Sequence, residues 1–149
     1  MEWIRASASM PLVSRMVELD GMKLLDGGIS DSVPIRYFES IGYEKNIGVL
    51  TQPAGYLKSP NKLLPLMRMK LKKYPRLVET MAKRHEVYNE TTAYIRSREQ
   101  SGAALVIQPD EALPVGRVEH DPEKLRLAYE LGRRAAERKI NEINAFIQD

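Results

Sequence analysis

Leu24-Leu25-Asp26-Gly27-Gly28 constrains this chain more tightly than any other stretch, because an apolar run there meets a carboxylate and two glycines in succession. Glycine has no Cβ and accepts backbone conformations closed to other residues, so the chain can swing away from the strand direction at this point. Ile29-Ser30-Asp31-Ser32-Val33-Pro34 follows, with Ser32 as N-cap and Pro34 in the first turn of a helix expected over Val33 to Ile41. Asp26 is therefore expected at a strand end, where open α/β sheets place their reactive side chains. Asp-Gly is also an ordinary turn pair, so Asp26 as a cap of the following turn stands as the alternative, and Asp31 reads as a turn or helix-start residue.

Around this stretch the chain reads as alternating short strands and helices. Trp3 to Ser7 has the length of a strand, and Val17 to Leu19 with Met22 to Leu25 form a hairpin across Asp20-Gly21. Gly42 suits the left-handed position after the helix, and Asn46 to Leu50 is a continuous apolar run of strand length. Strand, helix and strand in this order predict a βαβ unit with parallel pairing. Leu63 to Tyr74 is a further helix, and Pro75 opens the longest one, running to about Gln100 and stopped by Ser101-Gly102. Leu77, Met81, Tyr88 and Ile95 share one face of it. Ala103 to Gln108 is a strand, Arg117 to Glu119 a brief extended piece, and Asp121-Pro122-Glu123 starts a helix toward Ile147, its end beyond Arg138 expected to fray.

Order and wording of these motifs resemble the C-terminal half of bacterial patatin-like phospholipases. The residues that carry the likeness are Arg5-Ala6-Ser7-Ala8-Ser9-Met10-Pro11, the hairpin, and Leu25-Asp26-Gly27-Gly28-Ile29-Ser30-Asp31-Ser32-Val33-Pro34. Val49 to Tyr56, Arg84 to Glu90 and Val106 to Pro109 extend it over nearly the whole chain. The resemblance implies an α/β fold, the C-terminal half of a patatin-like sheet (βαβ with hairpin) followed by a mostly helical extension with one further strand. Residues 1–56 would be the C-terminal part of the catalytic core and residues 57–149 a helical extension packed on it, one domain in all.

What the resemblance implies chemically is a serine acyl-hydrolase acting on lipid or other carboxylic esters through a Ser-Asp dyad. Asp26 is the catalytic residue of that pattern, Gly27 and Gly28 position its backbone, and neither a cofactor nor a metal is needed. A serine that attacks an ester carbonyl must give up its proton, and a carboxylate fixed within hydrogen-bond reach can take it. The family's nucleophile lies in a G-x-S-x-G elbow before the aspartate, and the chain holds no such motif. It is therefore expected to be the C-terminal portion of such an enzyme, inactive alone, with the missing N-terminal half that carries the nucleophile as its partner. Ser7 and Ser9 lack glycine flanks and are expected to pack against that half.

Lys45 to Val78 carries eight basic residues and no acidic one. Lys70, Lys72 and Lys73 at its centre are the candidates for a surface facing anionic lipid, since cationic and apolar residues on one helix suit a membrane interface. This segment also supports the alternative of a non-catalytic membrane- or protein-binding module over residues 58–76. Nucleic acid is not expected as a partner, because aromatic side chains for base stacking are sparse there and the net charge is only +3. His85 and Asn89 lie one turn apart and could hydrogen bond, but a partly buried His85 tied to a neighbouring polar group is the expectation, and His120 is too distant in sequence to complete a metal site. The absence of cysteine excludes disulfides, and no apolar run reaches the roughly 18 residues of a membrane span. A cytoplasmic protein, or one peripheral at the inner face of the membrane, is the expectation.

Overall fold

The structure is a computed structural model and describes residues 1–116 and 118–148. Its residues gather into two compact units that draw alternately on the chain: residues 1–34 with 57–93, and residues 35–56 with 94–149.

The first unit begins with helix α1 (Glu2–Ser7), where the sequence predicts a strand. Local chemistry explains the difference. Glu2 pairs with Arg5 one turn later, Ala6 is buried, and the Ser9 hydroxyl donates to the Arg5 carbonyl (2.7 Å), closing the last turn. Strands β1 (Val17–Leu19) and β2 (Met22–Leu24) form the expected hairpin, antiparallel, with Glu18 opposite Lys23. Asp20 and Gly21 both take positive φ, 50° and 74°, as a two-residue turn matched to strand twist requires. A single 3-10 turn (Gly27–Ile29) follows, then helix α3 (Leu64–Lys70) and residues 75–93 of helix α4 (Pro75–Gln100). The core packs Ile29, Met67 and Met81 against Leu25, Leu64, Leu71 and Leu77.

The second unit holds helix α2 (Ile35–Ser40), shorter than expected, strand β3 (Asn46–Val49) and strand β4 (Ala104–Ile107). The two strands pair in parallel, Asn46 beside Ala104 and Val49 beside Ile107. The expected βαβ sheet is corrected here: β2 pairs with β1 in its own hairpin, and the parallel neighbour of β3 is β4, more than fifty residues on. Helix α5 (Pro122–Arg138) starts as predicted, with the Asp121 carboxylate accepting from the Glu123 amide (2.9 Å). It stops at Arg138, and a separate helix α6 (Ile140–Gln148) takes the place of the expected frayed end. Ile143 and Phe146 of α6 pack with Ala135 and Ala136 over Leu105 and Ile107. All four residues of β4 are buried, whereas Ile47 and Val49 of β3 are exposed. Arg117 lies outside the described residues, and Val118 and Glu119 form no strand.

The end of α4 is set by Gly102, at φ 76°. The Gly102 amide donates to Glu99 and the Ala103 amide to Arg98, the paired bonds that terminate a helix through a left-handed glycine. The same pattern ends α2, with Gly42 bonded to Glu39 and Tyr43 to Phe38. No helix among the described residues is long and apolar enough to cross a membrane.

Candidate functional site

Asp26 follows β2 after one intervening residue, Leu25, and its amide donates to the Ser9 carbonyl (2.8 Å), so the residue is anchored to the chain that leaves α1. Its backbone is extended (φ −52°, ψ 124°), and its Oδ1 accepts from the Gly28 amide at 2.7 Å. The carboxylate thus caps the 3-10 turn through one oxygen, as the turn-cap alternative predicts. Gly28 has a steric reason to be glycine: a Cβ there would lie 3.1 Å from Asp26 Oδ1. Gly27 has none, since nothing lies within 4 Å of its added Cβ. Neither glycine takes positive φ, so the need for glycine in this turn is the close approach at Gly28.

Arg84 of α4 locks the turn from the other side. Its Nε donates to the Gly28 carbonyl at 2.6 Å, and its Nη2 lies 3.5 Å from Ser32 Oγ, which itself donates to Gly28 O (2.8 Å). Asp31 accepts from the Val33 amide (3.3 Å) and so serves the next turn.

Beside Asp26 lies a cleft of about 280 Å³. Met16, Leu25, Ile29 and Leu77 form its apolar part, and Lys23, Asp26, Ser30, Tyr74 and Thr80 contribute polar groups. Asp26 is half-buried at this margin. Lys23 Nζ lies 3.4 Å from the Tyr74 hydroxyl, which, with Glu18 nearby, holds the lysine above its usual pKa. A carboxylate fixed by one oxygen, next to a small amphiphilic cleft, can orient and deprotonate a hydroxyl while the apolar side takes a hydrocarbon group.

Other sequence candidates fall elsewhere. Ser9 is buried and donates to Arg5, while Ser7 is exposed at the end of α1. His85 is partly buried and tied to a neighbouring polar group, as expected, and that group is a backbone carbonyl and not Asn89. The His85 ring meets the Ala82 carbonyl at 3.0 Å, and the Asn89 side chain clamps the backbone of Lys58, accepting from its amide (2.8 Å) and donating to its carbonyl (3.1 Å). Among the described residues no group of three His, Asp or Glu side chains could hold a metal ion. Lys70, Lys72 and Lys73 are exposed at and after the end of α3, and none of them lines the cleft.

Sequence reasoning missed Arg84, which reaches Gly28 across 56 residues with no local signal. It also missed a polar cluster in the second unit. There Glu39 accepts from the Tyr94 hydroxyl and from Arg98 Nε (2.7 Å), and the Arg36 guanidinium lies 3.9 Å from the centre of the Tyr94 ring. The Tyr94 hydroxyl and the neighbouring arginines hold the Glu39 carboxyl below its ordinary pKa, and Glu39 in turn raises that of Tyr94. Only the one-turn spacing of Tyr94 and Arg98 could have hinted at it.

A family model described as domain of unknown function (DUF6363) matches residues 74–148, just over half of the chain. The chain belongs to this DUF6363 family. A patatin-like phospholipase model matches residues 1–39, from α1 through the Asp26 turn into α2. A patatin-like phospholipase segment is therefore present at the N-terminal end of this DUF6363 protein, which supports a lipid-hydrolase theme. No curated protein matches the chain.

These matches correct the wider resemblance. Arg84 to Glu90 and Val106 to Pro109 fall within the DUF6363 match, and Val49 to Tyr56 lies outside both. The patatin-like fold signature maps to residues 1–39 and not to a C-terminal half of a patatin-like sheet spread over the chain. The reading of the chain as the C-terminal portion of a patatin-like hydrolase is overturned with it. So is the expected partner, a missing N-terminal half carrying the nucleophile, because the patatin-like region is present at the N-terminal end.

Proposed function

We propose that this protein takes part in hydrolysing acyl esters of lipids, with Asp26 as the carboxylate that takes a proton from the nucleophilic hydroxyl and returns it to the leaving group. The cleft beside Asp26 receives the hydrocarbon part of the ester. At about 280 Å³ it is at the small end of ligand pockets, which favours a short acyl chain or the first carbons of a longer one.

The observation that carries this reading is the fixed geometry of Asp26, a half-buried carboxylate tied through Oδ1 to Gly28 and lining a cleft with an apolar part. The patatin-like match over the same residues supports it. A carboxylate is a weak base in water, and its usefulness here comes from orientation and partial desolvation.

The test is Asp26→Asn in the natural full-length protein, assayed with a short-chain nitrophenyl ester and with phospholipid. Asparagine caps a turn about as well as aspartate, so the substitution removes the base and keeps the fold. The expected result is a fall in kcat of at least about 10²-fold with an unchanged unfolding midpoint. Retained turnover in the variant, or no ester turnover by the unaltered protein, overturns the proposal.

A further inference from the structure

Helix α3 carries two apolar stripes. Leu64, Met67 and Leu71 point into the core of the first unit, and Met67 is only 2% exposed. Leu66 and Met69, with Leu63 at the N-cap, lie at three-residue spacing and are the exposed apolar residues, at 40%, 57% and 53%. A short helix that has already buried one apolar face has no structural use for a second.

Cations surround this outward stripe. Lys62, Arg68, Lys70, Lys72 and Lys73 are all exposed, and none forms an ion pair among the described residues. No acidic residue occurs from Lys45 to Val78. Isolated apolar residues on a surface need no explanation, but a row of three within a field of uncompensated positive charge has a specific chemistry. Its complement is a surface that is negative at the level of the lysines and hydrocarbon just beneath.

We propose that the outward face of α3 docks on a bilayer containing anionic phospholipid. Leu63, Leu66 and Met69 enter the boundary between headgroups and acyl chains, and Lys70, Lys72 and Lys73 contact the lipid phosphates. Nucleic acid is a poorer complement, because leucine and methionine offer no ring on which a base can stack. This inference does not depend on the ester chemistry of Asp26.

The experiment is sedimentation of the full-length protein with vesicles of phosphatidylcholine alone and of phosphatidylcholine mixed with phosphatidylglycerol. Binding is expected to the mixed vesicles only and to weaken with salt. Each lysine near an anionic surface is worth roughly fivefold in affinity, so Lys70→Gln/Lys72→Gln/Lys73→Gln is expected to bind about a hundredfold more weakly. Leu66→Ser/Met69→Ser should weaken binding by about tenfold or more while its unfolding midpoint stays put, because both side chains face outward. Absence of binding, equal binding to neutral vesicles, or wild-type affinity in either variant overturns the proposal. Tighter binding to single-stranded nucleic acid than to the mixed vesicles does the same.

Discussion

Alanine at Gly28 and alanine at Gly27 differ by one tight contact. At Gly27 an added methyl meets nothing within 4 Å, so the substitution acts on the unfolded chain alone. Loss of unfolded-state freedom stabilises by about 0.4–1 kcal/mol. At Gly28 the same gain is opposed, because the methyl would lie 3.1 Å from Asp26 Oδ1 and the carboxylate must yield by a few tenths of an ångström. That movement strains the 2.7 Å bond from the Gly28 amide, and an aspartate cap is worth about 0.5–2 kcal/mol. The entropic gains cancel in the comparison, leaving Gly28→Ala less stable than Gly27→Ala by about 1 kcal/mol. Urea unfolding followed by circular dichroism reads this as a midpoint difference of about 0.5 M at a typical slope for a chain of this size. Ester turnover should fall with Gly28→Ala and hold with Gly27→Ala. Equal midpoints at equal slope, or a Gly27→Ala variant that is the less stable of the two, would refute the reasoning.

Glu39→Gln should flatten the acid limb of the stability curve. Glu39 has a lower pKa folded than unfolded, so its stabilisation is fully present above the ordinary carboxylate value and is lost as pH falls through the lower folded one. Denaturation midpoints measured across that range should converge for variant and parent at the acid end. Met67→Ala removes a side chain that is 2% exposed and should cost about 2–5 kcal/mol in chemical denaturation, whereas Leu66→Ala beside it should change stability by less than about 0.5 kcal/mol. Asn89→Ala strips both backbone bonds from Lys58 and should cost about 1–2 kcal/mol, with faster amide exchange at Lys58 as the residue-level sign.

The parts of the fold legible in the sequence are those written locally. Proline at 75 and glycine at 102 bracket α4, Asp121 caps α5, and Asp20-Gly21 sets the hairpin, each through chemistry that acts within a few residues. What escaped the reading depends on distance or on competition. Trp3 to Ser7 is short enough to fit either period, and its choice of helix rests on the Glu2–Arg5 pair and the Ser9 bond. Nothing near Asn46 announces that its neighbour is Ala104, nor anything near Gly28 that Arg84 will bond to it. His85 and Asn89 had the right spacing for each other, yet each found a backbone partner instead. At the site, Asp26 was legible because a strand end and a turn mark it, while the remainder of its cleft comes from residues up to Thr80 that no motif joins.

Alternation of the chain between the two units bears on any attempt to divide the protein. A piece cut at residue 74, where the DUF6363 match begins, would keep α4 and β4 whole and leave β3 behind. Ala104 to Ile107 would then lose its parallel companion, and four buried residues would gain an open margin of amides and carbonyls. Such a piece should precipitate or pair with itself, and a soluble version of the family's matched region has to be supplied with residues 46–49 from elsewhere in the polypeptide.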